Sequence, residues 1–238
     1  MLNRLEICTG SWQSAIAAQA GGADRIELCD NLAEGGTTPS YGMLAQCKKL
    51  LQIPFFPIIR PRGGDFIYSK DEFEIMKDDV SCCRDMGCEG IVIGILKKDG
   101  SIDTDRCAEL IALAGAMEIT FHRAFDRCND LERGLEDIIQ LGCHRVLTSG
   151  GKEYALEGIQ LLKALVSQAD TRIIIMPGSG INELNLLEIA KVTSAHEFHT
   201  TAKKLIEYDV DPINGDPYRA LETSAENVSK LKEILSLV

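Results

Sequence analysis

The chain has 238 residues, with 25 Lys and Arg against 36 Asp and Glu, which gives a formal net charge of −11. Nucleic acids and anionic membranes are recognised by clustered basic side chains, so this acidic balance argues against both as partners. Arg4 and Glu6 interrupt the first apolar stretch, so no signal peptide is predicted, and no apolar run reaches the ~18 residues of a membrane span. The nine cysteines are odd in number and include no C-x-x-C pair, which favours reduced thiols and a cytoplasmic location.

Short runs rich in β-branched residues alternate with longer amphipathic segments from one end of the chain to the other. Eight such units in 238 residues take about 30 residues each, which predicts a single-domain (β/α)8 TIM-like barrel over residues 1–238. An open doubly wound sheet is the alternative, but its usual G-x-G-x-x-G turn does not follow the first strand. The predicted strands are Leu5–Cys8, Arg25–Cys29, Phe55–Arg60, Gly90–Leu96, Glu118–Arg123, Arg145–Ser149, Arg172–Pro177 and His196–His199.

Helix start signals lie between these strands. Ser69 with Glu72, and Thr223 with Glu226, have the spacing of a capping box, in which each side chain bonds the other residue's backbone N–H. The segment Glu207–Glu222 is rich in turn residues and is predicted to be a long irregular loop, either functional or a surface excursion. The predicted helices are Ser11–Ala20, Tyr41–Leu51, Lys70–Met86, Asp105–Ala114, Asp130–Leu141, Ala155–Ala169, Glu183–Ala190 and Ala225–Leu237.

The carboxyl end of the barrel strands, here called the mouth, is where this fold places its chemistry. Side chains two residues apart share a strand face, so Glu6 lies with Cys8 and Glu27 lies with Cys29, and both pairs are predicted to face inward. Buried charges need partners, and Arg60 is expected to supply one, unless these groups only form a structural network. The further inward side chains are predicted to be Arg60, His122, Glu197 and His199.

Two of the cysteines, Cys8 and Cys29, occupy neighbouring predicted strands and face the same way. Thiolates one strand spacing apart, about 4.8 Å, are suited to holding a soft ion such as Cu(I) between them. The alternative is that both are small buried apolar side chains, as free cysteines usually are. The remaining cysteines lack partners at the ligand spacing of a closed zinc site.

Glycine-rich turns follow the sixth and seventh predicted strands, as Thr148-Ser149-Gly150-Gly151 and Pro177-Gly178-Ser179-Gly180. Open backbone N–H groups at the start of a helix bind phosphate or another small anion, although such turns also occur without a ligand. Arg62 would assist an anion, or would pair with Asp65 and order its own loop. The predicted anion-binding residues are Arg62, Ser149, Gly150, Gly178, Ser179, Gly180 and Thr201.

Five segments follow one another along the chain: Gly22–Cys29 with Glu34–Ser40, Ile59–Phe66, Thr120–Asp126, Arg145–Gly150 and Glu197–His199. In this order they resemble the copper homeostasis protein CutC family. The resemblance implies a cytoplasmic TIM-like barrel that forms a homo-oligomer (dimer or tetramer) and binds Cu(I) through Cys8 and Cys29. Ser179 departs from the family's run of three glycines.

Two functions are compatible with these residues. The first is copper handling, in which Cys8 and Cys29 bind Cu(I) and polar neighbours tune their thiolate character. The second is an enzyme without an organic cofactor that acts on a small phosphorylated or carboxylated metabolite. A non-catalytic scaffold is a weaker third possibility. The predicted partner is therefore a copper ion or a small anionic ligand, and the catalytic candidates are Glu6, Glu27, Arg60, His122 and His199.

Overall fold

The computed structural model describes residues 3–208 and 218–238, and within these ranges eight parallel strands alternate with eight α-helices. Every predicted strand and helix is present, with ends that differ by a few residues. The barrel strands are β1 (Arg4–Thr9), β2 (Arg25–Leu28), β3 (Phe55–Pro57), β4 (Gly90–Ile93), β5 (Glu118–Phe121), β6 (Arg145–Thr148), β7 (Ile174–Pro177) and β8 (Glu197–Thr200). The helices are α1 (Trp12–Ala20), α2 (Tyr41–Leu50), α3 (Lys70–Asp85), α4 (Thr104–Ala114), α5 (Leu131–Gln140), α6 (Ile159–Ala169), α7 (Leu186–Thr193) and α8 (Ala225–Leu235).

The strands form two parallel four-stranded ladders that together close a cylinder. One ladder has the order β3-β2-β1-β8 and the other has the order β4-β5-β6-β7. A parallel bridge between Ile58 and Val92 joins β3 to β4, and β7 packs beside β8 at the other seam. The (β/α)8 prediction is therefore confirmed. None of the described helices combines the length and the apolar character that crossing a bilayer requires.

The pleat of each strand divides its side chains between two separate apolar regions. Leu5, Ile7 and Ile26 belong to the large layer between the strands and the helices. Cys8 and Cys29 belong instead to a small cluster inside the cylinder. The predicted inward direction of both cysteines is confirmed, because alternation along an extended strand puts residues two apart on one face.

One of the two predicted capping boxes is present. Ser69 accepts a hydrogen bond from the Glu72 N–H at 3.1 Å, and Glu72 accepts one from the Ser69 N–H at 2.6 Å. The prediction that Thr223 caps the last helix is wrong by one residue. Ser224 caps α8 by accepting from the Asn227 N–H at 3.5 Å, whereas Thr223 still belongs to a strand.

The loop predicted over Glu207–Glu222 is partly an antiparallel hairpin. Strand β9 (Lys203–Glu207) pairs with β10 (Arg219–Thr223), so the irregular assignment is wrong for Glu207 and for 219–222. Residues 209–217 of that prediction lie outside the described residues. Glu222 accepts hydrogen bonds from the hydroxyls of two serines near the start of α1, which fastens the hairpin to the barrel wall.

Candidate functional site

A thiol pair lies at the mouth between β1 and β2. The ladder places Cys8 opposite Glu27, and Cys29 follows the last residue of β2. The two Sγ atoms are 3.6 Å apart, and the Cys29 thiol donates to Glu27 Oε2 at 3.5 Å. Within residues 3–208 and 218–238, these three residues are the one group of metal-ligating side chains whose ligand atoms all lie within 4.8 Å of one another.

Both sulfurs are held as neutral thiols. The hydrogen bond that the Cys8 thiol donates to Cys29 Sγ, together with burial, raises the pKa of Cys8 well above its usual range. The hydrogen bond from Cys8 lowers the pKa of Cys29, but burial and the nearby Glu27 carboxylate outweigh it and raise this pKa to about 12. His199 favours the thiolate of Cys8 but does not outweigh these effects, so thiolates would form here only with a further cation beside the sulfurs.

His199 on β8 lies between two buried carboxylates. Its Nδ1 is 2.7 Å from Glu6 Oε1, and its Nε2 is 3.7 Å from Glu27 Oε2. Burial alone would lower the pKa of His199, but Cys8 and the two carboxylates raise it well above its ordinary value. Burial raises the pKa of Glu27, against the attraction of His199. Its contacts with the two glutamates therefore favour the cationic form of the ring.

The amino end of the barrel carries a closed ion network, here called the floor network (Glu6, Arg25, Glu118, Arg145 and Glu197). Arg25 pairs with Glu6 and donates to Glu197 Oε2 at 2.6 Å. Arg145 also meets Glu197, at 3.2 Å, and donates to Glu118 Oε2 at 2.7 Å. Burial opposes ionisation of Glu6, but Arg25 and His199 together hold its pKa below the usual range.

The prediction that Arg60 would neutralise Glu6 and Glu27 is wrong. Arg25 pairs with Glu6 instead, and His199 lies beside both glutamates. Arg25 was missed as a partner although positions 25, 27 and 29 share one strand face. That shared face was the signal in the sequence from which Arg25 could have been identified.

Arg60 is buried just beyond β3, and its guanidinium donates hydrogen bonds to backbone carbonyls and lies over the Phe66 ring. Its Nη1 donates to the carbonyls of Glu34 and Gly36, each at 2.7 Å, and its Nη2 donates to the Gly64 carbonyl at 2.9 Å. Its Nε has no hydrogen-bond partner among the described residues. The guanidinium therefore brings a positive charge to the mouth, and none of the described carboxylates forms an ion pair with it.

His122, after β5, is a buried neutral histidine. The Ala124 N–H donates to its Nδ1 at 3.1 Å, so the ring proton is on Nε2, which has no partner in the described part of the chain. Burial and the nearby Arg60 charge lower the pKa of His122 to about 3. Its ring packs on Phe66 with centroids 5.0 Å apart. The residue is thus a hydrogen-bond donor rather than a proton source at neutral pH.

A cavity of about 480 Å³ opens at the mouth and gathers many of the predicted residues. Glu6 lies below it in the floor network, and Cys29 lies behind Cys8 and does not line it. Arg123, Tyr154 and Lys203 line it without having been predicted. The predicted residues that line the cavity are Cys8, Glu27, Arg60, His122, Ser179, Gly180, His199 and Thr201.

The turn after β6 is filled by a carboxylate of the protein itself. Asp126 accepts hydrogen bonds from the Thr148 hydroxyl and from the N–H groups of Ser149 and Gly151, the last two at 3.0 Å. The Gly150 N–H donates to Thr148 Oγ1 at 2.9 Å. An external anion at Ser149 or Gly150 would have to displace these internal acceptors. Asp126 was missed because local sequence patterns do not reveal which backbone groups it reaches.

The remaining anion candidates differ in their surroundings. Arg62 donates to Asp65 at 2.9 Å and to Glu72 at 2.6 Å, as in the alternative in which it orders its own loop. The Gly178 N–H donates to the Thr148 carbonyl at 2.9 Å. Ser179 has a φ of +81°, the left-handed region that a glycine adopts more readily.

Fold and site together define a (β/α)8 barrel protein with a thiol–carboxylate cluster at the mouth. The CutC family model matches residues 3–204, and the chain belongs to the CutC family. A CutC family protein of Xylella fastidiosa (strain 9a5c) is 48% identical over 239 residues, covering 98% of this chain and 88% of the relative. A human protein named copper homeostasis protein cutC homolog is 50% identical over 199 residues, covering 84% of this chain and 73% of that protein. The crystal structure of a putative copper homeostasis protein CutC from Streptococcus agalactiae has a TM-score of 0.81 and 34% identity, covering 84% of this chain and 99% of that one.

Proposed function

We propose that this protein serves copper homeostasis by binding Cu(I) at the barrel mouth through the Sγ atoms of Cys8 and Cys29. The observation that carries the proposal is the 3.6 Å separation of the two buried sulfurs. Soft thiolate ligands are the ones that Cu(I) prefers. The printed names of the human and mouse relatives, copper homeostasis protein cutC homolog, support the same assignment.

The ligand atoms of this cluster suit a metal ion bound by two sulfurs better than they suit a structural zinc ion. With metal–sulfur bonds of about 2.3 Å, as for zinc, one ion can bridge sulfurs up to about 4.6 Å apart. The observed 3.6 Å lies within that limit. A closed zinc site takes four ligands, whereas the described cluster supplies two sulfurs and the carboxylate of Glu27.

Metal binding at this pair requires the loss of two thiol protons, because the thiolate is the ligand. The Cu(I) charge and the His199 cation together offset the two thiolates that remain. The affinity for Cu(I) is therefore expected to rise with pH.

The test is an anaerobic Cu(I) titration of the whole chain against a competing Cu(I) chelator. We expect wild type to bind one Cu(I). Cys8→Ser and Cys29→Ser should each bind more than about 100-fold more weakly, because loss of a ligand exceeds the 10–100-fold cost of losing a supporting contact. Cys82→Ser on α3 is the matched control and should match wild type. Unchanged affinity in both mouth variants would contradict the proposal.

A second candidate is catalysis on a small carboxylated or phosphorylated metabolite. The observation that favours it is the neutral His122 beside the Arg60 cation, a combination that stabilises a developing oxyanion. In this alternative Glu27 or His199 would transfer protons. Wild type and Glu27→Gln are incubated with mixtures of such metabolites and analysed by mass spectrometry. Conversion by wild type alone is expected, and no conversion would contradict it.

We also propose a cytoplasmic location and a homo-oligomer, either a dimer or a tetramer. The cysteines are free thiols, which suits a reducing compartment. The family resemblance carries the oligomer proposal. Light scattering coupled to size-exclusion chromatography measures the mass in solution, and a monomer would contradict it.

A further inference from the structure

Two buried side chains at the mouth each retain an unpartnered N–H group. Arg60 and His122 are each 3% exposed. Arg60 Nε and His122 Nε2 have no hydrogen-bond partner in residues 3–208 and 218–238. Buried donors are almost always paired, and an unpaired one destabilises the fold, so two beside one cavity call for an acceptor.

Charge is unbalanced at the same place. The guanidinium of Arg60 meets three backbone carbonyls, which neutralise none of its charge. The buried arginines of the floor, by contrast, each contact two carboxylates. A buried cation is costly without an anion, so this end of the cavity favours a negatively charged ligand.

The two donors belong to one local arrangement. The Phe66 ring lies 5.0 Å from the Arg60 guanidinium carbon and 5.0 Å from the centroid of the His122 ring. All three side chains line the cavity of about 480 Å³, as do Leu32 and Ile58. A ligand with a polar group at the two donors would therefore lay an organic portion against apolar side chains.

We propose that this end of the cavity binds the carboxylate of a small organic molecule, with Arg60 and His122 as its donors. One positive charge and two N–H groups match the single charge and two oxygens of a carboxylate. A phosphate monoester brings close to two charges and three acceptor oxygens, which exceeds this set. The proposal goes beyond copper binding and does not depend on it.

The direct test is isothermal titration of the metal-free chain with the monocarboxylates glycolate, lactate, propionate and pyruvate, with inorganic phosphate as the comparison anion. We expect at least one carboxylate to bind more tightly than phosphate. His122→Asn retains an acceptor for the Ala124 N–H but lacks the second donor, and should bind at least tenfold more weakly. His122→Gln places an amide N–H near the position of Nε2 and should stay within about threefold of wild type.

Arg60→Lys is the second variant, because it keeps the charge but loses the planar set of donors, and a tenfold loss is expected. Absence of binding by every carboxylate, equal binding by His122→Asn, or binding of phosphate alone would each overturn the proposal. Cys29 does not line the cavity. Cys29→Ser should therefore keep carboxylate binding while its Cu(I) titration tests the copper proposal separately.

Discussion

The two ends of the barrel interior handle buried charge in opposite ways. In the floor network, Arg25 and Arg145 each meet two carboxylates. At the mouth, Arg60 donates hydrogen bonds only to carbonyls among the described residues, and His122 Nε2 has no partner there. Pairing every charge at one end stabilises the cylinder, whereas leaving donors unpaired at the other end suits a ligand.

The largest effect is expected from breaking the floor network. Arg25→Met leaves Glu6 and Glu197 buried with one cation fewer, which should lower the free energy of unfolding by about 3–5 kcal/mol. Arg172→Met, which breaks an exposed pair with Glu136, is the matched control and should have a far smaller effect. Urea unfolding at pH 7 measures both. Equal losses would show that burial of the network contributes no extra stability.

The second largest effect is expected from removing the Asp126 carboxylate at the mouth. Asp126→Ala leaves the donors of Thr148, Ser149 and Gly151 without their acceptor and should cost about 2–3 kcal/mol. Added acetate should then raise the melting temperature of this variant more than that of wild type. Asp126→Asn retains one acceptor oxygen, so its stability and its response to acetate should lie between those of wild type and Asp126→Ala. Equal acetate effects on all three would contradict the role assigned to Asp126.

The pH dependence of stability distinguishes the neutral His122 from the paired groups. Its folded pKa of about 3 lies below the unfolded value of 6.5, so the unfolded chain binds the extra proton as pH falls. Stability from this residue is therefore complete above pH 6.5 and is lost between pH 6.5 and 3, by about 2 kcal/mol at pH 5. Between pH 7 and pH 5, the free energy of unfolding of His122→Asn should therefore fall by about 2 kcal/mol less than that of wild type. Urea unfolding at the two pH values measures this difference. An equal loss of stability in wild type and His122→Asn would contradict the assignment of His122 as a buried neutral residue.

The smallest effect concerns backbone strain at Ser179. Its left-handed φ favours glycine, while its hydroxyl donates to the Glu153 carbonyl at 2.7 Å. Ser179→Ala loses that bond without relieving the strain and should cost about 1 kcal/mol. Ser179→Gly loses the bond but relieves the strain, so its melting temperature should exceed that of Ser179→Ala. The reverse order would exclude strain at this position.

The eight alternating strand and helix units were sufficient to predict the barrel, and period-two alternation was sufficient to predict the inward face of Cys8 and Cys29. This worked because the pleat fixes side-chain direction locally, without knowledge of distant contacts. The same rule also applied to Arg25, yet it did not identify the partner of Glu6. The residue that pairs with Glu6 must also lie at the same level along the barrel axis. A shared strand face does not determine that level.

Other features depended on contacts that no local pattern encodes. Asp126 fills the turn after β6 through residues more than 20 positions away. The hairpin of β9 and β10 is largely exposed, so its strands carry little of the apolar alternation that marks a buried strand. The unpartnered Nε2 of His122 is a property of the assembled cavity and has no signature in the sequence.

His199 joins the two ends of the cylinder, since its ring lies 2.7 Å from Glu6 Oε1 and 3.7 Å from Glu27 Oε2. Redesign of the cysteine pair is therefore not a local operation. Because His199 contacts both carboxylates, a change at Glu6 also removes a support of the ring that lies beside Glu27. Libraries aimed at altered metal preference should vary Glu6, Glu27 and His199 together rather than one at a time.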